Sequence, residues 1–234
     1  MSSLLVRVGA DQSSGGGYWN GPVDSRSNEF VYVSIPETKP VREGMEKPYN
    51  ALLPVLSKFG VSLPARLITQ HMHLDPDFDY LTYGDGGERA NQLRKLDQGD
   101  TIIFYASLKD VQPKKQLVYA IIGAFIIDEK ISAQSMPASA WNTNAHSRRI
   151  SAAAEDLIIR ARPKVSGRLR CCIPIGEYRD DAYRVRQDIL EAWGGLSVKD
   201  GYLQRSARLP KFLEPEKFFH WFQSQAPVLL QTNN

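Results

Sequence analysis

The sequence predicts a single α+β domain, in which helices flank a central β-sheet or a small barrel core. The chain has 234 residues, of which 42% are hydrophobic, and this is enough for one ordinary core. Two runs of β-branched and aromatic residues lie close together near the middle of the chain. Segments with helical spacing of apolar residues stand on both sides of these runs, and no stretch has the composition of a linker.

In the first hundred residues, two short strands and two helices are predicted. The strands cover residues 4–8 and 30–35 on either side of a glycine-rich loop, and Pro36 ends the second strand. A helix is expected over 50–59, because Asn50 is suited to an N-cap and Gly60 to the position after the last turn. A second helix is expected over 88–96, where apolar residues recur every third position.

The central part of the chain predicts two buried strands, over 101–106 and 117–127, joined by a connection that carries lysines. The turn signal Gly99-Asp100 precedes the first strand, and Gly123 marks a bulge or bend in the second. We expect this hairpin to form the core of the fold.

The last third predicts a loop, three helices and one strand. The loop covers 132–146, and helices are expected over 149–160 and 181–193 with a strand over 169–175 between them. Gly194-Gly195 is expected to end the second of these helices. An amphipathic helix over 214–223 closes the series, with Pro215 in its first turn.

Charge and cysteine content favour an intracellular protein. A net charge of +3 permits contact with nucleic acid without requiring it. Cys171 and Cys172 are adjacent, and adjacent cysteines rarely form a disulfide, which indicates a reducing compartment. No apolar run approaches the roughly 20 residues that span a bilayer. The sequence therefore predicts a cytoplasmic protein that has no membrane contact and no evident obligate protein partner.

Two loops, over residues 7–22 and 71–85, each combine acidic, aromatic and glycine residues. A glycine-rich loop lets backbone N–H groups approach a ligand closely, while neighbouring carboxylates and rings hold a polar heterocycle. We expect these loops to form two walls of one pocket.

In the first loop, Asp11 follows a strand and is a candidate catalytic carboxylate that activates water or stabilises a developing cation. The alternative is a turn-forming aspartate that holds the loop. Tyr18 and Trp19 are candidates to sandwich an extruded base while Asn20 reads its edge, although one of the two rings can instead cap the core. Arg7 is assigned to substrate binding with them.

Four residues of metal-binding types are clustered in the second loop: His71, His73, Asp75 and Asp77. Pro76 favours an extended or turn geometry that separates their side chains, so no metal is predicted. Asp75, with Asp85 in reserve, is a candidate catalytic carboxylate. His73 is assigned to substrate binding, and the alternative is that His73 and Asp75 only hold the loop in place.

Tyr83 and Tyr105 complete the predicted substrate-binding set. Basic residues are densest in the segment that follows residue 147, and the residues of this band are Arg148, Arg149, Arg160, Arg162, Lys164, Arg168 and Arg170. Of these, Arg148, Arg149, Arg168 and Arg170 are predicted to contact a DNA backbone. The alternative is an ordinary solvated surface.

Several short blocks follow one another along the chain: Arg7-x-Gly-x-Asp11 with its glycine loop, Ile35-Pro36-Glu37, His73-Leu-Asp-Pro-Asp77, Gly99-Asp100 and the strand through Gly123. In their order and approximate spacing, these blocks resemble the third type of nucleotide-modification-associated domain over most of the chain. Asn144-Ala145-His146 stands where members have a His-Pro-His element, and Ala10 and Gln12 replace an aromatic residue and a serine. The resemblance implies a setting among systems that install, read or attack modified bases in DNA.

Several enzyme classes are excluded by their missing motifs. The sequence has no Walker phosphate loop, no Gly-x-Ser-x-Gly elbow, no Cys-x-x-Cys pair and no zinc deaminase signature. Carboxylate chemistry without a cofactor remains. We therefore predict a DNA glycosylase-like hydrolase of bacterial or phage conflict that excises a flipped, modified base. A noncatalytic reader of modified bases is the alternative, and a base-modifying transferase is the third option.

Overall fold

A computed structural model describes residues 2–11, 19–113, 117–203 and 208–234. Its strands in chain order are β1 (Ser3–Arg7), β2 (Pro22–Val23), β3 (Ile35–Pro36), β4 (Met72–His73), β5 (Thr82–Asp85), β6 (Thr101–Asp110), β7 (Leu117–Ser132), β8 (Leu157–Ala161), β9 (Gly167–Pro174), β10 (Gly176–Arg179), β11 (Ala182–Val185) and β12 (Leu229–Leu230). Its α-helices are α1 (Leu53–Lys58), α2 (Ala65–Ile68), α3 (Gly87–Arg94), α4 (Ala145–Arg148), α5 (Gln187–Ala192) and α6 (Pro215–Ser224).

Eight strands form a mixed sheet in which β6 and β7 are central. β1 and β2 lie parallel to β6, and β7 lies antiparallel to it. β7 is long enough to change its second neighbour along its length: residues 120–124 pair with β9, and residues 127–132 pair with β8. β5 extends the sheet beyond β8, and β12 extends it beyond β9. The strand β7 therefore joins two branches of one sheet.

Both faces of the sheet are buried, which explains the long apolar runs at residues 102–106 of β6 and 117–127 of β7. Side chains alternate between the faces, so Leu4 and Val6 belong to one apolar cluster and Leu5 to another. The first cluster lies under α1, α3 and β5, and the second lies under α5 and α6. Two small sheets, β3 with β4 and β10 with β11, are added outside the central sheet.

The α+β fold class and most predicted elements are confirmed. The central hairpin is present, although its strands run further than predicted, to residues 110 and 132. The helix expected over 50–59 begins as a 3₁₀ turn, Tyr49–Leu52, and continues as α1. The helices expected over 88–96 and 214–223 correspond to α3 and α6, and the strand expected over 169–175 corresponds to β9.

Two predicted helices are wrong over part or all of their length. Residues 149–160 contain no helix, because Leu157–Ala161 pair with β7 on one side and β5 on the other. Residues 182–185 are also a strand, which follows a tight turn at Asp180 and Asp181, both with positive φ. Only Gln187–Ala192 remain helical in that segment.

Two other segments differ from the prediction. Within the strand expected over 30–35, Ile35 belongs to β3, and Phe30 makes an isolated bridge to Val23. The loop expected over 132–146 contains 3₁₀ turns and the start of α4. Among the described residues, no helix is both long and apolar enough to cross a bilayer.

Candidate functional site

A pocket of about 170 Å³ lies where separate segments of the chain meet. Its polar lining comes from the end of β1, from β4 and the loop after it, from β5, and from α3 and α4. The residues that supply this lining are Arg7, His73, Asp75, Tyr83, Asp85, Arg89 and His146. Because a water molecule needs about 10–15 Å³ by this measure, the pocket has room for several waters or a small reacting group.

The carboxylate of Asp75 lies at the bottom of the pocket and is buried. Its two oxygens accept hydrogen bonds from the backbone N–H of Gly84, at 2.8 and 2.9 Å. Burial raises the pKa of Asp75 well above its usual value, in spite of this N–H group, which lowers it. The backbone of β5, through Gly84, therefore fixes the position of this carboxyl group.

Asn144 connects Asp75 to His146. The Oδ1 atom of Asn144 caps the one-turn helix α4 by accepting from the backbone N–H of His146 at 2.9 Å. Its Nδ2 atom lies 3.4 Å from Asp75 Oδ1 and 3.3 Å from Thr82 Oγ1. One buried amide thus holds the helix with His146 against the strand and the carboxylate.

Each of the two pocket histidines is paired with a carboxylate on its far side. The Nδ1 atom of His73 lies 2.6 Å from Oε2 of Glu37, and the Nδ1 atom of His146 lies 2.7 Å from Oδ2 of Asp156. The Nε2 atoms of both rings face Asp75 Oδ2, at 3.9 Å for His73 and 3.5 Å for His146. Two equivalent histidine–carboxylate pairs therefore converge on a third carboxylate.

The neighbouring strands explain how each histidine meets its carboxylate. β3 and β4 pair with Ile35 opposite His73, and the amide of Glu37 continues this ladder by donating to the carbonyl of His71 at 2.9 Å. Asp156 directly precedes β8, which places it beside α4. Burial lowers the pKa of His73, and the hydrogen bond to Glu37 opposes this shift.

Arg149 lies between the two pairs and balances their charge. Its guanidinium group is 3.1 Å from Glu37 Oε1 and 3.6 Å from Asp156 Oδ2. It also lies 3.2 Å from Nδ1 of His73 and 3.4 Å from Nδ1 of His146. The carboxylate contacts of both Nδ1 atoms are shorter, and because a carboxylate cannot donate, they assign the proton to Nδ1.

At the mouth of the pocket, a second carboxylate is held by a cation and a phenol. Asp85 Oδ2 lies 3.1 Å from Arg89 Nε, and the hydroxyl of Tyr83 donates to the same oxygen at 2.5 Å. Arg89 Nη2 in turn donates to the Tyr83 hydroxyl at 3.1 Å. Asp85 and Arg89 are partly exposed, at 18% and 28% of their side chains, so both can meet a ligand.

Arg7 forms another wall of the pocket. Its Nη2 atom is 2.9 Å from Asp11 Oδ2, and its guanidinium carbon lies 5.1 Å from the centre of the Tyr119 ring. Asp11 is buried and does not belong to the pocket lining. Its position behind Arg7 makes it a group that orients this arginine.

The structure brings together the described parts of the two sequence segments that were expected to share a pocket. Arg7 comes from the first segment, and His73, Asp75, Tyr83 and Asp85 come from the second. Of the metal-binding types in the second loop, His71 is exposed and Asp77 is paired with Arg148, so neither joins His73 and Asp75.

Of the four other candidates for substrate binding, three from the first loop and Tyr105 from β6, those that the structure describes are not found in the pocket lining. Tyr18 falls outside the described residues. Trp19 and Asn20 line a different cavity, and Asn20 is buried, with its Nδ2 atom donating to the carbonyl of Ser107 at 2.8 Å. Tyr105 is buried on the second face of the sheet, where its hydroxyl donates to the carbonyl of Leu203 at 2.8 Å. None of these three described side chains lines the pocket of Asp75.

Three of the four arginines that were predicted to contact a DNA backbone are buried in the structure. Arg148 and Arg149 are buried in ion pairs with Asp77 and Glu37. Arg168 is also buried and donates to the carbonyls of Thr232 and Leu169. Of the four arginines assigned to DNA, Arg170 is exposed and the other three neutralise or satisfy groups inside the fold. The burial of these arginines cannot be read from the local run of basic residues, because Asp77 and Glu37, which pair with Arg148 and Arg149, are distant in sequence.

Sequence reasoning did not select several residues that build the site. Arg89 and Asp156 are not among the predicted site residues, and Glu37, Asn144 and His146 appear only as part of the family resemblance. The sequence does contain one signal for His146: the chain has only four histidines, and a buried histidine needs partners for its ring nitrogens. The partners themselves come from other parts of the chain and could not be identified from spacing.

Comparison with protein-family models identifies the family of this chain. A family model described as nucleotide modification associated domain 3 matches residues 3–225, a range that contains every residue of the pocket. Searches of curated proteins and of solved structures found no match. The description of the family indicates an involvement with modified nucleotides. The chain belongs to the nucleotide modification associated domain 3 family.

Proposed function

We propose that the pocket is the active site of an enzyme that processes a modified base in DNA, and that the reaction is hydrolysis of the N-glycosidic bond. One observation carries the proposal: the buried carboxylate of Asp75 shares a pocket with two imidazoles, a second carboxylate and two guanidinium groups. Such clusters of titratable groups with perturbed pKa values are typical of catalytic sites.

The reaction sets three requirements. A water oxygen forms a bond to C1′ of the sugar while the bond from C1′ to the base nitrogen breaks and its electron pair leaves with the base. Positive charge develops on the sugar in the transition state, so a fixed negative charge nearby lowers the barrier. The attacking water gives up a proton to a neighbouring base, and the departing nucleobase gains negative charge and accepts a proton or a hydrogen bond.

The lining of the pocket offers a group for each requirement. Asp75 and His146 lie deep enough to hold the attacking water, and Asp85 at the mouth supplies negative charge beside the sugar. Arg7 and Arg89 supply positive charge for the departing base or for a phosphate. A pocket of about 170 Å³ does not accept a duplex, so the target nucleotide must leave the base stack.

The test is incubation of the protein with DNA that carries hypermodified bases, followed by mass spectrometry of released bases and an assay for abasic sites. We expect free base from at least one modified DNA, and loss of this product in Asp75→Asn with the fold retained. Asp128→Asn is the matched control, because Asp128 is exposed on β7. A nucleoside of changed mass instead of free base would contradict hydrolysis and favour a transferase.

A noncatalytic reader is the second candidate, and one observation favours it. Tyr178 is 64% exposed, its ring contacts Tyr183, and Tyr183 stacks on Tyr119 at 4.3 Å between ring centres. Because Arg7 lies against Tyr119, this row of rings extends from the wall of the pocket to the surface. Exposed rings of this kind stack on bases. Tight, selective binding of a modified DNA without any product would favour the reader.

A further inference from the structure

We propose that His73, Asp75 and His146 form a binding site for a divalent transition-metal ion. One ligand atom from each residue lies within 4.8 Å of the other two, and all three side chains are buried. Two atoms that are each about 2.1 Å from the same ion lie about 3.0–4.2 Å apart, depending on the angle between them. The distances from Asp75 Oδ2 to the two Nε2 atoms, 3.5 and 3.9 Å, fall in this range.

The same distances are too long for hydrogen bonds. An N–H···O bond to a carboxylate spans about 2.7–2.9 Å, so neither imidazole is bonded directly to Asp75. Each Nε2 atom nevertheless points at the carboxylate across a buried space. A positive ion between them accounts for this spacing.

The outer partners of the histidines support the assignment. Glu37 and Asp156 accept the Nδ1 protons of His73 and His146, which leaves an Nε2 lone pair on each ring directed at the centre. Metal-binding histidines commonly have such a carboxylate behind them, because it fixes the tautomer and makes the ring a stronger ligand. Two histidines with this arrangement, facing one carboxylate, are unexpected for groups that only hold a loop.

The environment of Asp75 also suits a ligand. Both of its oxygens receive the Gly84 N–H, which orients the carboxylate toward the rings. A Cβ atom on Gly84 would lie 2.6 Å from His146 Cδ2 and 3.0 Å from Asp75 Oδ2, so glycine is required for this close approach. Arg149 neutralises the outer carboxylates without entering the space between the ligands.

The ligand set restricts the class of ion. Two imidazoles and one carboxylate suit zinc, iron, manganese or cobalt, whereas magnesium and calcium prefer oxygen ligands. Three protein ligands leave further coordination positions, which here face the pocket. This role rests on the proposed hydrolysis: a bound ion would lower the pKa of a coordinated water to about 7 and so make it a better nucleophile.

Metal binding is measured on tag-free protein that has been dialysed against a chelator. Calorimetric titration with Zn²⁺ and the visible absorption of added Co²⁺ should both show one equivalent bound. His146→Ala should weaken Co²⁺ binding by at least about 100-fold, and Glu37→Gln and Asp156→Asn by about 10- to 100-fold. His71→Ala is the matched control, because His71 is exposed and only two positions from His73.

The outcomes separate the metal site from the proposed function. Absence of a stoichiometric ion in the wild-type protein overturns the metal proposal, whatever the variants do. Equal affinity in wild type and in a folded His73→Ala, His146→Ala double variant overturns it too. Bound metal without release of any base leaves the metal site standing and counts against hydrolysis. Circular dichroism of each variant identifies loss of fold.

Discussion

A side chain on Gly84 would collide with His146: a Cβ atom at this position would lie 2.6 Å from His146 Cδ2. It would also lie 2.8 Å from Asn144 Oδ1 and 3.0 Å from Asp75 Oδ2. We therefore expect Gly84→Ala to displace the helix that carries His146 and to lower Co²⁺ affinity by more than 10-fold. Overpacking of this kind costs about 1–3 kcal/mol of stability.

Gly21→Ala is the control that separates the loss of Co²⁺ affinity from the general loss of stability. A Cβ atom on Gly21 would lie 2.5 Å from the carbonyl oxygen of Val31, so this variant is also overpacked, but away from the pocket. We expect a comparable loss of stability with unchanged Co²⁺ affinity. The interpretation fails if Gly84→Ala binds Co²⁺ as the wild type does.

Addition of the metal should stabilise the folded protein, because an ion that binds only the native state shifts the unfolding equilibrium. At a free concentration about 100 times the Kd, the gain is about 2.7 kcal/mol. For a chain of this length we expect the Tm to rise by about 5–10 °C. Differential scanning calorimetry with and without Zn²⁺ measures this, and His146→Ala should show no rise.

Removal of Arg148 should destabilise the fold rather than weaken DNA binding. Arg148 pairs with Asp77, and both side chains are almost fully buried. Arg148→Ala leaves Asp77 buried without its cation, which costs about 3–5 kcal/mol. Urea unfolding measures this loss, and Asp77→Asn combined with Arg148→Met should recover most of it.

Arg170→Ala is the control for Arg148, because Arg170 is exposed. It should change the free energy of unfolding by no more than about 0.5 kcal/mol. An equal effect of the two substitutions would show that the buried ion pair does not stabilise the fold.

Tyr178→Ala should weaken the binding of single-stranded DNA without affecting stability. The ring is exposed and is supported by Tyr183. Stacking of one base on an aromatic ring contributes about 1–3 kcal/mol, so we expect the Kd to rise by about 5- to 150-fold. Fluorescence anisotropy with a labelled oligonucleotide measures the change. Tyr80→Ala, which removes another exposed ring, should leave the Kd unaltered.

The two adjacent cysteines should differ in reactivity. Burial raises the pKa of Cys172 to about 12, because the thiolate would lose its hydration, whereas Cys171 is exposed. At pH 8 we expect a disulfide reagent to modify one thiol of the native protein rapidly and the second only after denaturation. Two fast thiols in the native protein would contradict the burial of Cys172.

The same thiol contributes a pH dependence to stability. The folded state holds the Cys172 proton more tightly than the unfolded chain, so this contribution is complete below about pH 9. It falls as the pH rises toward about 12. Cys172→Ser should reduce the decline in this window, as measured by unfolding at several pH values.

The sequence located part of the site because local chemistry is visible in it. His73, Asp75 and Asp85 stand out as polar residues among glycines and aromatic residues in one short segment. The metal-binding residue types of this segment do not form a site by themselves, because His71 is exposed and Asp77 pairs with Arg148. His146 completes the cluster of His73 and Asp75, and it is too distant in sequence to be identified from local spacing.

Secondary structure was predictable where one signal dominated. The central hairpin consists of long apolar runs with β-branched residues, and such runs form strands in almost any context. The helix predicted over 149–160 is wrong at residues 157–160, because the strand there depends on β5 and β7, which supply hydrogen bonds on both sides. Local propensity does not report whether such partners are available.

The α+β class, the central hairpin and the unpaired state of the cysteines follow from composition and periodicity, and the family resemblance follows from the order of short blocks along the chain. Folding is what brings His73, Asp75 and His146 within 4.8 Å of one another, with Glu37 and Asp156 behind the two rings, and what buries three of the four candidate DNA-binding arginines. The physical reason is that a binding site requires distances of a few ångströms between side chains, and chain folding, rather than sequence separation, sets those distances.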